Sequence, residues 1–266
     1  MNEIICGNCV DVMATFPDNY IDLTVTSPPY DNLRDYKGYE FDFECIANEL
    51  YRITKQGGVV VWVVGDATKD FCESLTSFRQ AICFVDICGF NLLDTMIYEK
   101  NGYPPQYPNM MRYVGAFEYM LVFSKGKPNT FNPIHDRLNS QVGAKRDAST
   151  QRQTDGSTKK TKTGFEIGKI SKRTNIWKYN TGYMKVTSDK WAYNHPAIFP
   201  EKLANDHIIT WSNEGDLILD PMCGSGTTCK MAMVNNRNYI GIDTSEEYCE
   251  IARNRISEYK QQLSLF

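Results

Sequence analysis

Long apolar runs are missing from this sequence: nowhere do 18 apolar residues follow one another, so no membrane-spanning helix is expected. Histidine is scarce, and its three residues (His135, His195, His207) stand apart. Nine cysteines are present, but beyond the single CGNC of Cys6 and Cys9 no second pair stands at zinc-ribbon spacing, so no metal site is expected. Several cysteines fall in apolar runs such as AICFVDICGF (81–90), which suits buried thiols in a reducing compartment better than a disulfide framework. A strong charge of either sign is also missing. With a formal net charge of -3, the whole molecule is no polycation, and any nucleic-acid contact has to come from a local patch. The opening MNEIICGN does not read as a signal peptide, so a cytoplasmic protein without membrane attachment is expected.

What is there suits one sizeable core, or one core with an inserted lobe: 266 residues, 42% hydrophobic and 23% charged. Residues 1–131 alternate short apolar strands with amphipathic stretches. IDLTVTS (21–27), GGVVVWVVGD (57–66), NLLDTMIYEK (91–100) and FEYMLVFSKG (117–126) read as strands. The second is a continuous β-branched run, as in a strand covered on both faces. FDFECIANELYRIT (41–54) spaces Phe43, Ile46, Ala47, Leu50 and Ile53 for one buried helix face, and SFRQAICFVDICGF (77–90) predicts a helix ending at Gly89. From residue 191 the same texture returns, with a helix after HPAIFP (195–200), then strand, turn and helix twice over in 216–256. Alternating strands and helices predict a doubly wound, mostly parallel α/β sheet.

Residues 132–190 differ. Strong periodicity disappears, and between 143 and 173 stand nine basic residues (Lys145, Arg146, Arg152, Lys159, Lys160, Lys162, Lys169, Lys172, Arg173) against three acidic ones. A solvated loop and a segment facing phosphates both fit that charge. Trp177, Tyr179, Tyr183, Trp191 and Tyr193 follow, and suit either a nucleic-acid surface or the packing of a small lobe.

Two motifs carry chemistry. In DLILDPMCGSGTT (216–228) a strand ends at Asp220, a loop of small residues follows, and a helix opens near Thr227. Gly224 and Gly226 allow close backbone approach and positive φ. The next strand, YIGID, ends in Asp243, about 20 residues on, where an acid reaches ribose hydroxyls. Neither the GK[ST] of a phosphate-binding loop nor a G-x-G-x-x-G fingerprint is present, which disfavours triphosphates and nicotinamide cofactors. TSPPY (26–30) closes another strand. Over the same sheet edge, Ser27 and the Ser27 and Pro28 carbonyls become fixed polar groups, and Tyr30 a flat plate for a planar base. That set suits a flipped-out base with an exocyclic amine.

With these residues in view, the sequence resembles the amino-methylating DNA methyltransferases that use S-adenosylmethionine. TSPPY matches their catalytic motif, [DNS]-P-P-[YFW]; DPMCGSGTT matches their cofactor motif; HPAIFPEKL matches the segment before it. The order, catalytic motif first, resembles the β group, a circular permutation of the methyltransferase sheet. The resemblance implies a doubly wound, Rossmann-like sheet of seven strands with an inserted target-recognition region. It divides the chain into a catalytic half (1–131), a recognition and DNA-binding region (132–190) and a cofactor half with a tail (191–266). It further implies catalytic roles for Ser27, Pro28, Pro29 and Tyr30. Cofactor contacts fall to Asn8, Cys9, Phe199, Pro200, Asp220, Pro221, Cys223, Gly224, Ser225, Gly226, Thr227 and Asp243. Asn8 stands where the family often has Asp. Double-stranded DNA is the implied partner, met by Lys145, Arg146, Arg152, Lys159, Lys160, Lys162, Lys172 and Arg173. Enzymes that methylate cytosine C5 use a Pro-Cys nucleophile, and no cysteine here follows a proline. In the family SPPY leans toward N4 of cytosine and DPPY toward N6 of adenine, so N4 is favoured here with N6 as the alternative. An RNA or protein amide methyltransferase, or a DNA-binding protein with a decayed site, fits the motifs less well. QLSLF (262–266) resembles the peptide by which bacterial DNA-processing proteins dock on the replicative sliding clamp, and NMMRYVGAF (109–117) suits either core or a homodimer interface.

Overall fold

The computed structural model describes residues 2–29, 41–102, 111–146, 150–160, 164–194, 198 and 200–263. They fall into two compact units, one of Met1–Asn132 with Asn175–Phe266 and one of Pro133–Thr174.

The larger unit is built on an eight-stranded sheet. Its strands in chain order are β1 (Asn2–Cys6), β2 (Ile21–Thr26), β3 (Thr54–Val64), β4 (Asn91–Asn101), β5 (Phe117–Ser124), β6 (Ile176–Asn180), β7 (Leu217–Asp220) and β8 (Asn238–Asp243). Across the sheet the order is β1-β8-β7-β2-β3-β5-β4-β6. The first five are mutually parallel, β5 is antiparallel to both its neighbours, and β6 is parallel to β4. The mostly parallel α/β fold predicted from sequence is therefore present, with one strand more than seven. That extra strand is IWKYN, which buries Trp177 and Tyr179 on alternate positions and exposes the residues between. Those two aromatics pack the sheet edge and offer no nucleic-acid surface. Tyr183 and Trp191 are exposed.

Helices cover both faces. The even residues of β3 face one layer: Trp62 meets Phe43 of α2 (Phe43–Ile53) edge-on at 5.8 Å, and its indole N–H donates to Gln80 of α3 (Thr76–Ile82) at 2.8 Å. Ile46, Ala47, Leu50 and Ile53 are wholly buried, as their spacing predicted. Val63 pairs with Met120 on the neighbouring strand, and Met120 Sδ meets His207 of α4 (Glu201–Trp211) at 3.2 Å on the opposite face. Helix α4 packs on α5 (Thr227–Val234), and α5 on α6 (Glu246–Leu263). Side chains alternate across a strand, so adjacent residues 62 and 63 report two separate helical layers. The short α1 (Cys9–Ala14) packs with α2. Among the described residues no helix is long and apolar enough to cross a membrane.

The smaller unit is not a loop. His135–Leu138 pairs with Ile170–Lys172, Lys145–Arg146 with Phe165–Glu166, and Thr150–Arg152 with Thr158–Lys160, all antiparallel. These nested pairs form a ribbon whose innermost turn is pinned by Asp155, which accepts from the Ser157 amide at 2.9 Å and hydroxyl at 2.7 Å. The sequence concealed it because nearly every side chain is exposed, so no apolar face imposes period two.

Candidate active site

Parallel strands end together, so β1, β8, β7, β2 and β3 bring Cys6, Asp243, Asp220, Thr26 and Val64 to one edge. The connection after β7 runs through α5 to β8 on one side, and that after β2 through α2 to β3 on the other. The direction in which successive strands are added thus reverses between β7 and β2, and a crevice opens outside the carboxyl ends of strands at such a point. Both sequence motifs converge there. The Thr26 hydroxyl donates to Asp220 Oδ1 at 2.8 Å, fastening the strand of TSPPY to the strand of DPMCGSGTT. Thr228 at the start of α5 donates to the Val25 carbonyl at 3.0 Å and makes a second tie. Ser27 and Pro29 follow half-buried, with Pro28 buried. Tyr30 lies outside the described residues.

Asp220 is buried, and Oδ1 also accepts from the Met222 amide at 3.2 Å. Burial pushes its pKa up to about 6, against the hydrogen bonds that favour the carboxylate. Its carboxylate turns inward and sets the path of the loop. Asp243 is half-buried and fixes the loop from the other side: Oδ2 accepts from the Gly224 amide and Oδ1 from the Ser245 amide, each at 2.9 Å. Its pKa is likewise raised by burial. The Gly7 amide donates to the Asp243 carbonyl at 2.9 Å, which brings the GNC segment to the same edge. Asn8 caps α1 through its side chain, while Cys9 is packed into the core. Pro221, Cys223, Gly224, Ser225, Gly226 and Thr227 are all buried. Gly226 is needed as glycine: its φ is +76, and a Cβ there would stand 2.6 Å from the Ala252 Cβ.

Sequence reasoning missed the group under this loop. Arg255, on α6, is fully buried and donates to the Ser225 carbonyl at 2.5 Å and hydroxyl at 3.0 Å. Its remaining nitrogens bind Asp189 at 3.0 Å and Glu201 at 2.8 Å. Lys230 of α5 joins the same two carboxylates at 2.7 and 2.8 Å. Two cations and two anions thus tie α4, α5, α6 and the loop together. Pro200, buried at the head of α4, directly precedes Glu201 of this network. Phe199 lies outside the described residues.

In the ribbon, Lys145, Arg146, Arg152, Lys159, Lys160 and Lys172 are exposed, and Arg173 is half-buried and ion-paired with Asp136. Lys162 lies outside the described residues, as do residues 264–266 of QLSLF.

The DNA methylase family model (N6_N4_Mtase) matches residues 21–254. The orphan methyltransferase M.BamHII of Bacillus amyloliquefaciens is 54% identical over 91% of this chain and 91% of its own length. Among solved structures, PvuII DNA methyltransferase (cytosine-N4-specific) superposes with a TM-score of 0.69 at 19% identity, over 96% of this chain and 86% of that one. The M1.HpyAVI–SAM complex does so with a TM-score of 0.63 at 22% identity, over 96% of this chain and 99% of that one.

Proposed function

This chain belongs to the DNA methylase family of the N6/N4 type, and from that premise we propose that it methylates the exocyclic N4 of cytosine at specific sites in double-stranded DNA. It is a DNA methyltransferase, and its methyl donor is S-adenosylmethionine. The observation that carries the assignment of roles is the Thr26–Asp220 hydrogen bond, because it couples TSPPY to the strand that opens the glycine-rich loop.

The donor set fits the cofactor. Asp243 spends one lone pair of each oxygen on the Gly224 and Ser245 amides, which leaves each oxygen able to accept from a ribose hydroxyl. Asn8, Cys9, Phe199, Pro200, Asp220, Pro221, Cys223, Ser225, Gly226 and Thr227 complete the proposed cofactor site. Most of them act through backbone or by shaping the cradle, since Asp220, Cys9 and Cys223 are buried. When bound, the cofactor supplies an electrophilic methyl on a sulfonium.

The chain's own task is to make a poor nucleophile attack. The amine lone pair of cytosine is delocalised into the ring. The Ser27 side chain and the Pro28 carbonyl accept hydrogen bonds from the amine, localise that pair on nitrogen and aim it. Pro28 and Pro29 hold those acceptors in place through their fixed φ, and Tyr30 stacks on the extruded base. The remainder is proximity and in-line geometry, with no covalent enzyme–base intermediate. Ser27 at the head of the motif supports N4 over N6. Lys145, Arg146, Arg152, Lys159, Lys160, Lys162, Lys172 and Arg173 are the proposed phosphate and base contacts.

Nucleoside mass spectrometry on plasmid DNA from cells expressing the protein tests this, beside a Tyr30→Ala control. N4-methylcytosine that disappears in the control is the expected result. N6-methyladenine would retain the mechanism and overturn the base assignment.

A further inference from the structure

Three ligand-bearing side chains outside the methyl-transfer machinery meet on the same molecule. Cys6 ends β1, and Glu246 and Cys249 occupy one face of the first turn of α6, three residues apart. The two cysteine Sγ atoms and a carboxylate oxygen of Glu246 all lie within 4.8 Å of one another. No spacing rule could find this cluster, since 240 positions of sequence separate Cys6 from Glu246. It is also not the CGNC pair, because Cys9 faces the core.

We propose that Cys6, Glu246 and Cys249 bind a thiophilic divalent cation of the Zn2+ class. Tetrahedral coordination with M–S of about 2.3 Å and M–O of about 2.0–2.2 Å puts neighbouring ligand atoms about 3.6–3.8 Å apart, which the cluster meets with small side-chain adjustments. Cys6 and Glu246 are exposed, so the ion has a path in and water completes the fourth position. The charges balance. Two thiolates and one carboxylate carry three negative charges; the divalent ion offsets two, and Arg253, whose guanidinium holds Glu246 Oε1 at 2.6 Å, offsets the third. The Cys249 thiol now points at the Ile5 and Asp243 carbonyls, at 3.7 and 3.6 Å, and the ion takes the place of its proton. Binding forms two metal–sulfur bonds and one metal–oxygen bond, displaces water from the ion and releases two thiol protons to solvent. The bound ion cross-links strand β1 to helix α6. The Cys249 Sγ lies 3.6 Å from the Asp243 carbonyl, so the cross-link stiffens the segment that carries this carboxylate.

Cobalt is the probe. The reduced full-length chain is titrated with Co2+ without oxygen and followed by absorbance. One equivalent producing thiolate-to-cobalt charge-transfer bands, displaced by Zn2+, is expected. Cys6→Ser and Cys249→Ser lose the bands, and Cys45→Ser keeps them. Bands absent from the wild type, or undiminished when both cysteines are replaced, overturn the proposal. A second measurement needs no variant: Zn2+ should slow alkylation of Cys6 in the wild type, with exposed Cys45 and Cys72 as references. Equal alkylation of Cys6 with and without Zn2+ also overturns it.

Discussion

The Arg255 guanidinium lies beneath the glycine-rich loop and donates to the Ser225 carbonyl at 2.5 Å. A buried cation is costly unless it is paired and its donors are satisfied. Here Asp189 and Glu201 supply the charge, and Ser225 and Thr227 take the donors that remain. The loop is therefore held from both sides: Asp243 grips the Gly224 amide, and Arg255 grips the next residue's carbonyl.

Arg255 is a positioning residue, and two substitutions separate charge from geometry. Arg255→Met leaves Asp189 and Glu201 with Lys230 alone and is expected to cost about 3–5 kcal/mol of stability, the usual consequence of breaking a buried ion network. Arg255→Lys keeps the charge but lacks the planar fork that serves acceptors on four residues at once. It should recover part of the stability and still bind S-adenosylmethionine more weakly than wild type. Urea denaturation and calorimetric titration read the two effects. Wild-type affinity in a folded Arg255→Lys protein would mean that Arg255's support of the glycine-rich loop does not reach the proposed cofactor site.

Gly226→Ala should destabilise the protein through two additive causes. A positive φ at a residue with a Cβ costs about 1–3 kcal/mol, and the new Cβ meets Ala252 at 2.6 Å. The second substitution Ala252→Gly removes the shortest contact and leaves the Cα of residue 252 at 3.1 Å together with the backbone strain. The double variant should therefore melt between Gly226→Ala and wild type. Wild-type melting of Gly226→Ala would mean that the loop has another conformation.

Much of the scaffold at this sheet edge could be read from sequence because its residues sat in contiguous motifs. DPMCGSGTT announced strand, loop and helix, and the 46–47–50–53 spacing announced the buried face of α2. Strand β6 carried an alternating signal in IWKYN, but aromatics beside a basic segment invited a different reading. Arg255 offered less. It lies on the buried stripe of α6 with Cys249, Ala252 and Ile256, where an arginine makes sense only once Asp189 and Glu201 are known to converge on it. Convergence of distant segments has no local signature. The same holds for the ribbon, whose pairing rests on backbone hydrogen bonds and not on an apolar face.

The acid at position 220 gives a pH signature. Burial raises its folded pKa to about 6 from an ordinary 3.8. A raised carboxylate pKa means that the folded state holds the proton more tightly than the unfolded chain. Its contribution to stability is therefore fullest below about pH 4 and is lost as pH climbs through about 6. Asp220→Asn keeps an acceptor for Thr26 and Met222 and does not ionise. Relative to wild type it should gain stability, on the order of 2 kcal/mol, between pH 4.5 and pH 8. Denaturation midpoints of both proteins across that range provide the check, and parallel curves would contradict the burial argument.

The ribbon makes a prediction about which basic residues act together. Thr150 pairs with Lys160, Gln151 with Lys159, and Arg152 with Thr158. Alternation along each strand then puts Arg152 and Lys160 on one face and Lys159 on the other. A two-stranded ribbon fits the major groove of DNA and meets the phosphates with its exposed cations. Each lost phosphate contact lowers the slope of log affinity against log salt by about 0.9 and weakens binding to all sequences alike. Arg152→Ala and Lys160→Ala should therefore shift the slope together, and Lys159→Ala should differ from both. Fluorescence anisotropy over a salt series with a random duplex measures this. Were Arg152→Ala to follow Lys159→Ala instead, the strand register or the use of the ribbon as a DNA contact would have to be abandoned.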